Sequence, residues 1–89
     1  MKFKARVEVK IRKDQLDPES ETIRRSLFDL GFQLSQLRTA KVYEIHLDAE
    51  SKKEAEAFVK SMCSRLLVNP VKDDFLIEVE QVGSAASKP

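Results

Sequence analysis

The sequence predicts an α+β fold: a two-layer sandwich with a small antiparallel sheet and two helices on one of its faces. Three observations carry this expectation. Phe3, Ala5, Val7, Val9 and Ile11 alternate strictly with Lys2, Lys4, Arg6, Glu8, Lys10 and Arg12. Ala55, Phe58, Val59, Met62, Cys63, Leu66 and Leu67 recur at three- and four-residue intervals. Phe75, Ile77 and Val79 then alternate with Asp74, Leu76, Glu78 and Glu80. Period two marks a strand with one buried face, and the three-to-four spacing marks an amphipathic helix.

The elements follow in order. After the first strand, Asp17 is a helix N-cap and Pro18 suits the first helical position, where its missing N–H costs nothing. Ile23, Leu27 and Leu30 mark one face of that helix, and Gly31 closes it in the left-handed conformation. Phe32 to Leu37 reads either as a short extra strand or as an extended connection. Lys41 to Leu47 is a strand with Tyr43, Ile45 and Leu47 on one face. Ser51 and Glu54 form a capping box, with Ser51 bonding forward and Glu54 reaching back. The apolar stripe behind them is the strongest helical signal, and Pro70 stops it by disfavouring helical geometry at Asn69. The order is strand, helix, strand, helix, strand, resembling a ferredoxin-like arrangement. Residues 1–82 form one domain, and the Ser-Ala-Ala-Ser-Lys-Pro segment after Gly83 lacks an apolar anchor, so 83–89 are expected to be a disordered tail.

Charge suggests the neighbours. The polar face of the first strand carries Lys2, Lys4, Arg6, Lys10 and Arg12, and the last presents Asp74, Glu78 and Glu80. Opposite charges on adjacent strands favour pairing by about 0.2–1 kcal/mol per pair. The first and last strands are therefore expected to lie side by side and antiparallel.

Composition excludes several classes. The chain has 89 residues, and one of this size buries only about 60–65% of its unfolded surface, so marginal stability or support from oligomerisation is expected. Sixteen basic and fifteen acidic residues leave a net charge of +1, giving no bulk attraction to nucleic acid or anionic membrane. A single cysteine fits a reducing compartment, the N-terminus shows no signal peptide pattern, and no apolar run could span a bilayer. A soluble cytoplasmic location is expected.

Chemical equipment is sparse. His46 shares a strand face with Glu44 and Asp48, but no nucleophile is signalled beside it, so a solvent-facing or interface role outweighs general-base chemistry. Cys63 lies on the apolar stripe, where burial raises a thiol pKa and suppresses reactivity. One Cys and one His cannot make a four-ligand zinc site, and Asp73 and Asp74 point to opposite sides of an extended chain. Gly31 and Gly83 end elements, so no glycine-rich phosphate loop exists. Phe3, Tyr43 and Phe75 lie on core-facing stripes, which removes the stacking platform that RNA recognition on a sheet requires. Arg24-Arg25 and Lys52-Lys53 read as solvated helix surface. The residues describe no autonomous enzyme; a binding or assembly module follows by elimination.

One resemblance runs along nearly the whole chain. Leu16-Asp17-Pro18, Leu30-Gly31-Phe32, Arg38-Thr39-Ala40-Lys41 and above all Met62-Cys63 followed by Leu66-Leu67-Val68-Asn69-Pro70-Val71 resemble, in order and spacing, the PurS family, the small subunit of phosphoribosylformylglycinamidine (FGAM) synthase. Asp73-Asp74-Phe75 and Ile77-Glu78-Val79 continue the match. Ser20 and Ala40 stand where the family often has glycine, which counts against a positive-φ turn at Ala40.

The resemblance implies a step of de novo purine synthesis in which a glutaminase subunit releases ammonia and a large synthetase subunit uses it. It implies a non-catalytic adaptor, a homodimer or homotetramer, that holds both partners so ammonia passes between them. No cofactor is expected on this chain, with ATP and Mg used by the complex. For contacts, the rigid or charged features at element ends are Asp17, Pro18, Arg38, Lys41, Asn69 and Pro70. For Asp17, Pro18, Asn69 and Pro70, ordinary capping is the favoured explanation, while for Arg38 and Lys41 solvated surface and contact weigh about evenly. The alternative function is a small-molecule-sensing regulatory domain of ferredoxin-like type; weak RNA binding is third.

Overall fold

The computed structural model describes residues 1–83. In chain order the elements are β1 (Lys2–Ile11), α1 (Pro18–Asp29), β2 (Lys41–Asp48), α2 (Lys52–Met62) and β3 (Asp73–Val82), with a π-helical turn over Cys63–Leu67 extending α2. The α+β class and the strand–helix–strand–helix–strand order are as expected. The tail expected at 83–89 lies, from residue 84 on, outside the described residues.

β1 is the central strand. The sheet order is β2-β1-β3, and both pairings are antiparallel. Val7 faces Tyr43 on one side and Ile77 on the other; Ala5 faces Ile45 and Val79. The inner stripe of β1 is closed to water: Phe3, Ala5, Val7 and Val9 are all buried. Ala55, Val59 and Cys63 of α2 and the adjoining turn pack down onto them, joined by Val68 and by the half-buried Ile45, Leu47, Ile77 and Val79. Each large side chain fully buried here stabilises by about 1.5–3 kcal/mol.

The expected adjacency of the first and last strands holds, and the charge pattern is fuller than the sequence suggested. The basic outer face of β1 has acidic strands on both sides. Lys2 pairs with Asp48 at 3.5 Å, Lys4 with Glu44 at 3.8 Å and Arg12 with Asp74 at 3.4 Å. These pairs are exposed, worth about 0–1 kcal/mol each, so they specify which strands meet more than they stabilise the sheet.

Helix ends form as their residues dictate. The Asp17 carboxylate accepts the Ser20 N–H at 3.2 Å, with Pro18 in the first helical position. At the other end, Gly31 adopts φ 101°, its N–H donates to the Phe28 carbonyl at 2.9 Å, and the Phe32 N–H donates to the Leu27 carbonyl at 3.0 Å. That pair of bonds is a Schellman motif, which needs glycine at the left-handed position. Ser51 Oγ accepts the Glu54 N–H at 3.1 Å, while the Glu54 carboxylate takes the N–H of Glu50, not that of Ser51, at 2.8 Å.

Of the two readings open for Phe32–Leu37 the connection is the one found, and Ala40 has no positive φ, as its side chain implied. Two features differ from expectation. The α2 stripe is wider than its buried part, because Phe58 and Leu66 are exposed. Ala55, Val59 and Cys63 face the sheet, so the i, i+4, i+8 row Phe58–Met62–Leu66 falls on the flank.

The second concerns α1. Its apolar face does not reach the sheet; Ser20 is its single buried residue, and Phe28 and Leu30 are 60% and 74% exposed. The reason is local. Ser20 Oγ donates to the Asp17 carboxylate at 2.6 Å and accepts the Thr39 N–H at 3.0 Å. This pins the first turn of α1 against the connection returning to β2, and the helix runs on past the sheet. The radius of gyration is 17.0 Å, where a compact chain of this length has about 12 Å.

Replacing Val7 by Ala should cost about 2–3 kcal/mol, the lost transfer energy plus a residual cavity. Lys2→Ala should change stability by less than about 0.5 kcal/mol. Urea unfolding of the two variants measures both; equal effects would contradict the placement of β1 at the centre of the core.

Candidate interaction surface

The six residues singled out at element ends come together. The C-terminal end of β1 and the starts of β2 and β3 lie at one end of the sheet, since Val9 pairs with Lys41 and Ile11 with Asp73. Three connections converge there: β1 to α1 with Asp17 and Pro18, α1 to β2 with Arg38, and the exit of α2 with Asn69 and Pro70.

Arg12 ties this corner. Its backbone N–H donates to the Lys72 carbonyl at 2.7 Å, its Nη2 to the Pro70 carbonyl at 3.0 Å and its Nε to the Asp73 carbonyl at 3.4 Å. Asn69 forms an Asx turn, its Oδ1 accepting the N–H of Val71 at 2.9 Å and of Lys72 at 3.3 Å. The Asn69 N–H donates to the Asp73 carboxylate at 2.9 Å. Arg38 donates through Nη2 to the Ile11 carbonyl, bridging the α1–β2 connection to the end of β1. Lys41 places its ammonium 5.9 Å from the centre of the Tyr43 ring, within the range of a cation–π contact.

Electrostatics follows from these contacts. The Ser20 hydroxyl and N–H, assisted by the Arg38 charge, hold the Asp17 carboxyl below its ordinary pKa. Glu21 is lowered by its hydrogen bonds and ion pair with Arg24, whose Nη2 lies at 2.8 Å. Burial pushes the Cys63 thiol up, as its place on the stripe implied. His46 stands on the outer face opposite Lys4, exposed to solvent. Among the described residues no three of His, Cys, Asp and Glu are grouped to hold a metal ion.

Beside the corner, along the inner face of β2, runs an open trough. At the corner end it holds about 440 Å³ between Val9, Ile11, Lys41, Tyr43 and Leu67. Further along it narrows to about 290 Å³ and turns apolar, with Tyr43 and Ile45 of β2 facing Met62, Leu66 and Leu67. Sequence reasoning placed all of these except Lys41 on the core. It missed the trough, Arg12 as the corner tie and Ser20 as the tether. No sequence signal separated the exposed Phe58 and Leu66 from the buried Ala55, Val59 and Cys63 on the same stripe.

Ser20→Ala removes a donor to Asp17 and strands the Thr39 N–H, which should cost about 1–3 kcal/mol. Amide exchange should accelerate in α1 more than in β1. The depressed Asp17 pKa gives a sign: its contribution is fully present above the ordinary carboxylate range and is lost as pH falls through the lowered value. Acid should therefore loosen α1 before the sheet, and Asp17→Asn should flatten that dependence. Cys63 should react with a thiol reagent only at the rate of unfolding, and rapid native-state labelling would contradict its burial.

The comparisons with known proteins agree with this architecture. The family model described as PurS: Phosphoribosylformylglycinamidine (FGAM) synthase matches residues 4–81. The PurS subunit of phosphoribosylformylglycinamidine synthase from Methanocaldococcus jannaschii is 38% identical over 81 residues, covering 90% of this chain and 98% of that one. The crystal structure of the M. jannaschii PurS superposes with a TM-score of 0.81, covering 91% of this chain and 99% of its own. A chain in the structure of PurLQS from Thermotoga maritima gives a TM-score of 0.82 at 34% identity, covering 90% and 99%. The chain thus belongs to the PurS family, a subunit of FGAM synthase in purine biosynthesis.

Proposed function

We propose that this chain is the non-catalytic assembly subunit of FGAM synthase, holding the glutaminase and large synthetase subunits in register so that ammonia passes between their sites. The observation that carries the reading is the likeness over nine tenths of the chain to a component of a PurLQS assembly. The chemistry of the chain supports it: a buried, unreactive thiol, one solvent-facing histidine, and a corner built from tethers and turns. ATP and Mg belong to the partners in this reading, and the chain works as a homodimer or homotetramer in the cytoplasm. Asp17, Pro18, Arg38, Lys41, Asn69 and Pro70 are the proposed contacts; their internal bonds make the corner rigid, and a rigid surface loses little entropy on docking.

Reconstitution tests the reading. The two larger subunits should show little glutamine-dependent synthesis until this chain is added, and Arg38→Glu with Lys41→Glu should weaken the rescue at least tenfold without altering the chain's circular dichroism. Full glutamine-dependent activity without the chain would overturn it.

A further inference from the structure

We infer that the free edge of β3 takes up an extended segment of a partner subunit, one in which lysine or arginine alternates with apolar residues. The inference rests on the assembly role proposed above and names the chemistry of one docked element.

The backbone defines the edge. β3 has a neighbouring strand on one side only. The Arg12 N–H donates to the Lys72 carbonyl at 2.7 Å, one step beyond the paired strands. By alternation Asp74, Leu76, Glu78 and Glu80 exchange hydrogen bonds with β1. The Ala49 N–H donates to the Met1 carbonyl, which gives the complementary alternation on the β2 side of β1. Phe75, Ile77, Val79 and Gln81 therefore turn their N–H and C=O groups outward along the open edge of β3.

That edge is unguarded. Sheets usually protect an edge with a short strand, a bulge, a proline or a lysine. β3 is 10 residues long and contains no Pro, Gly, Lys or Arg. Its register against β1 runs without a break, from Asp73 opposite Ile11 to Val82 opposite Lys2.

The side chains define what fits there. On the outer face Glu78 stands opposite Arg6 and Glu80 opposite Lys4. Both cations turn elsewhere: Lys4 pairs with Glu44 of β2 at 3.8 Å, and Arg6 with Glu8 on its own strand at 3.6 Å. Among the described residues Glu78 and Glu80 have no ion-pair partner, whereas Glu44 and Asp48 of β2 each have one. On the inner face Phe75 is 47% exposed, and Ile77 and Val79 are half-buried.

An added strand lies about 4.8 Å away and sets its own alternate residues beside those of β3 on each face. Lysine or arginine beside Glu78 and Glu80, with apolar residues beside Phe75, Ile77 and Val79, completes both faces. β3 already accepts this pattern on its other side, where Lys4 and Arg6 alternate with Ala5 and Val7 of β1. A second copy of β3 does not fit. It would set glutamates against glutamates on the outer face, and like charges placed opposite one another are destabilising.

Residue-resolved amide exchange tests the site, because the two sets of amides alternate. In the free chain Phe75, Ile77, Val79 and Gln81 should exchange faster than Leu76, Glu78 and Glu80. In the complex reconstituted with the glutaminase and large synthetase subunits, the first set should slow at least tenfold while the second changes little. The end-capped peptide Lys-Val-Lys-Val-Lys-Val-Lys should give the same alternating protection to the isolated chain. Glu78→Lys with Glu80→Lys, at exposed positions, should keep the circular dichroism of the sheet and weaken binding of that peptide at least tenfold.

Unchanged exchange at the outward amides in an active reconstituted complex would overturn the edge site while the assembly role stands. Equal protection by an acidic peptide, Glu-Val-Glu-Val-Glu-Val-Glu, would overturn the basic occupant. Protection that appears on concentrating the chain alone would overturn it in favour of a second copy. A chain that neither joins nor activates the larger subunits would overturn the assembly role and the edge site together.

Discussion

The structure depends on β1 being paired on both edges and covered on one face. Its inner residues Phe3, Ala5, Val7 and Val9 meet β2 on one side, β3 on the other and α2 above. Within the sheet both outer strands pair only with it, and the outer face repeats the arrangement in charge, with basic residues flanked by acidic ones. A strand placed this way cannot slip by one residue, because a slip would send every buried side chain to the charged face. Register, strand order and the position of α2 are thus one constraint.

From that constraint follows an imbalance. One helix covers β1 and β3, while the inner face of β2 lacks a lid, and the other helix is pinned at the end of the sheet by a single buried hydroxyl. Ser20 makes two bonds that no apolar residue could make, so a polar contact sets the direction of the most apolar unseated segment. The corner it belongs to is stiffened by Arg12, Asn69 and Arg38, each of which bonds backbone carbonyls or N–H groups. A stiff, chemically inert corner beside an open apolar trough suits a piece whose work is to position other chains.

Much of this was legible in the residues. The three strands, both caps, the glycine closure at Gly31 and the burial of Cys63 follow from local pattern, because each depends on neighbours close in sequence. The pairing of β1 with β3 was legible from charge alone, since the inversion of sign along two strands is a long-range signal written in short segments. What stayed hidden was where α1 lies. Ile23, Leu27 and Leu30 announce a face to be covered, and periodicity cannot say which chain covers it. Likewise Phe58, Met62 and Leu66 share a stripe with Ala55, Val59 and Cys63, and only the packed helix separates the row on the sheet from the row on the trough. The six corner residues were each legible as a terminus, but their convergence required the strand order.

Membership in the PurS family makes this chain a subunit of FGAM synthase, and in the proposed reading what it contributes is a set of surfaces held at fixed angles. The most direct measurement is sedimentation velocity on a mixture of the glutaminase and large synthetase subunits, with and without this chain. The account predicts a single faster species containing all three components, appearing only when the chain is present. A glutaminase–synthetase complex of unchanged mass and stability in its absence would contradict it.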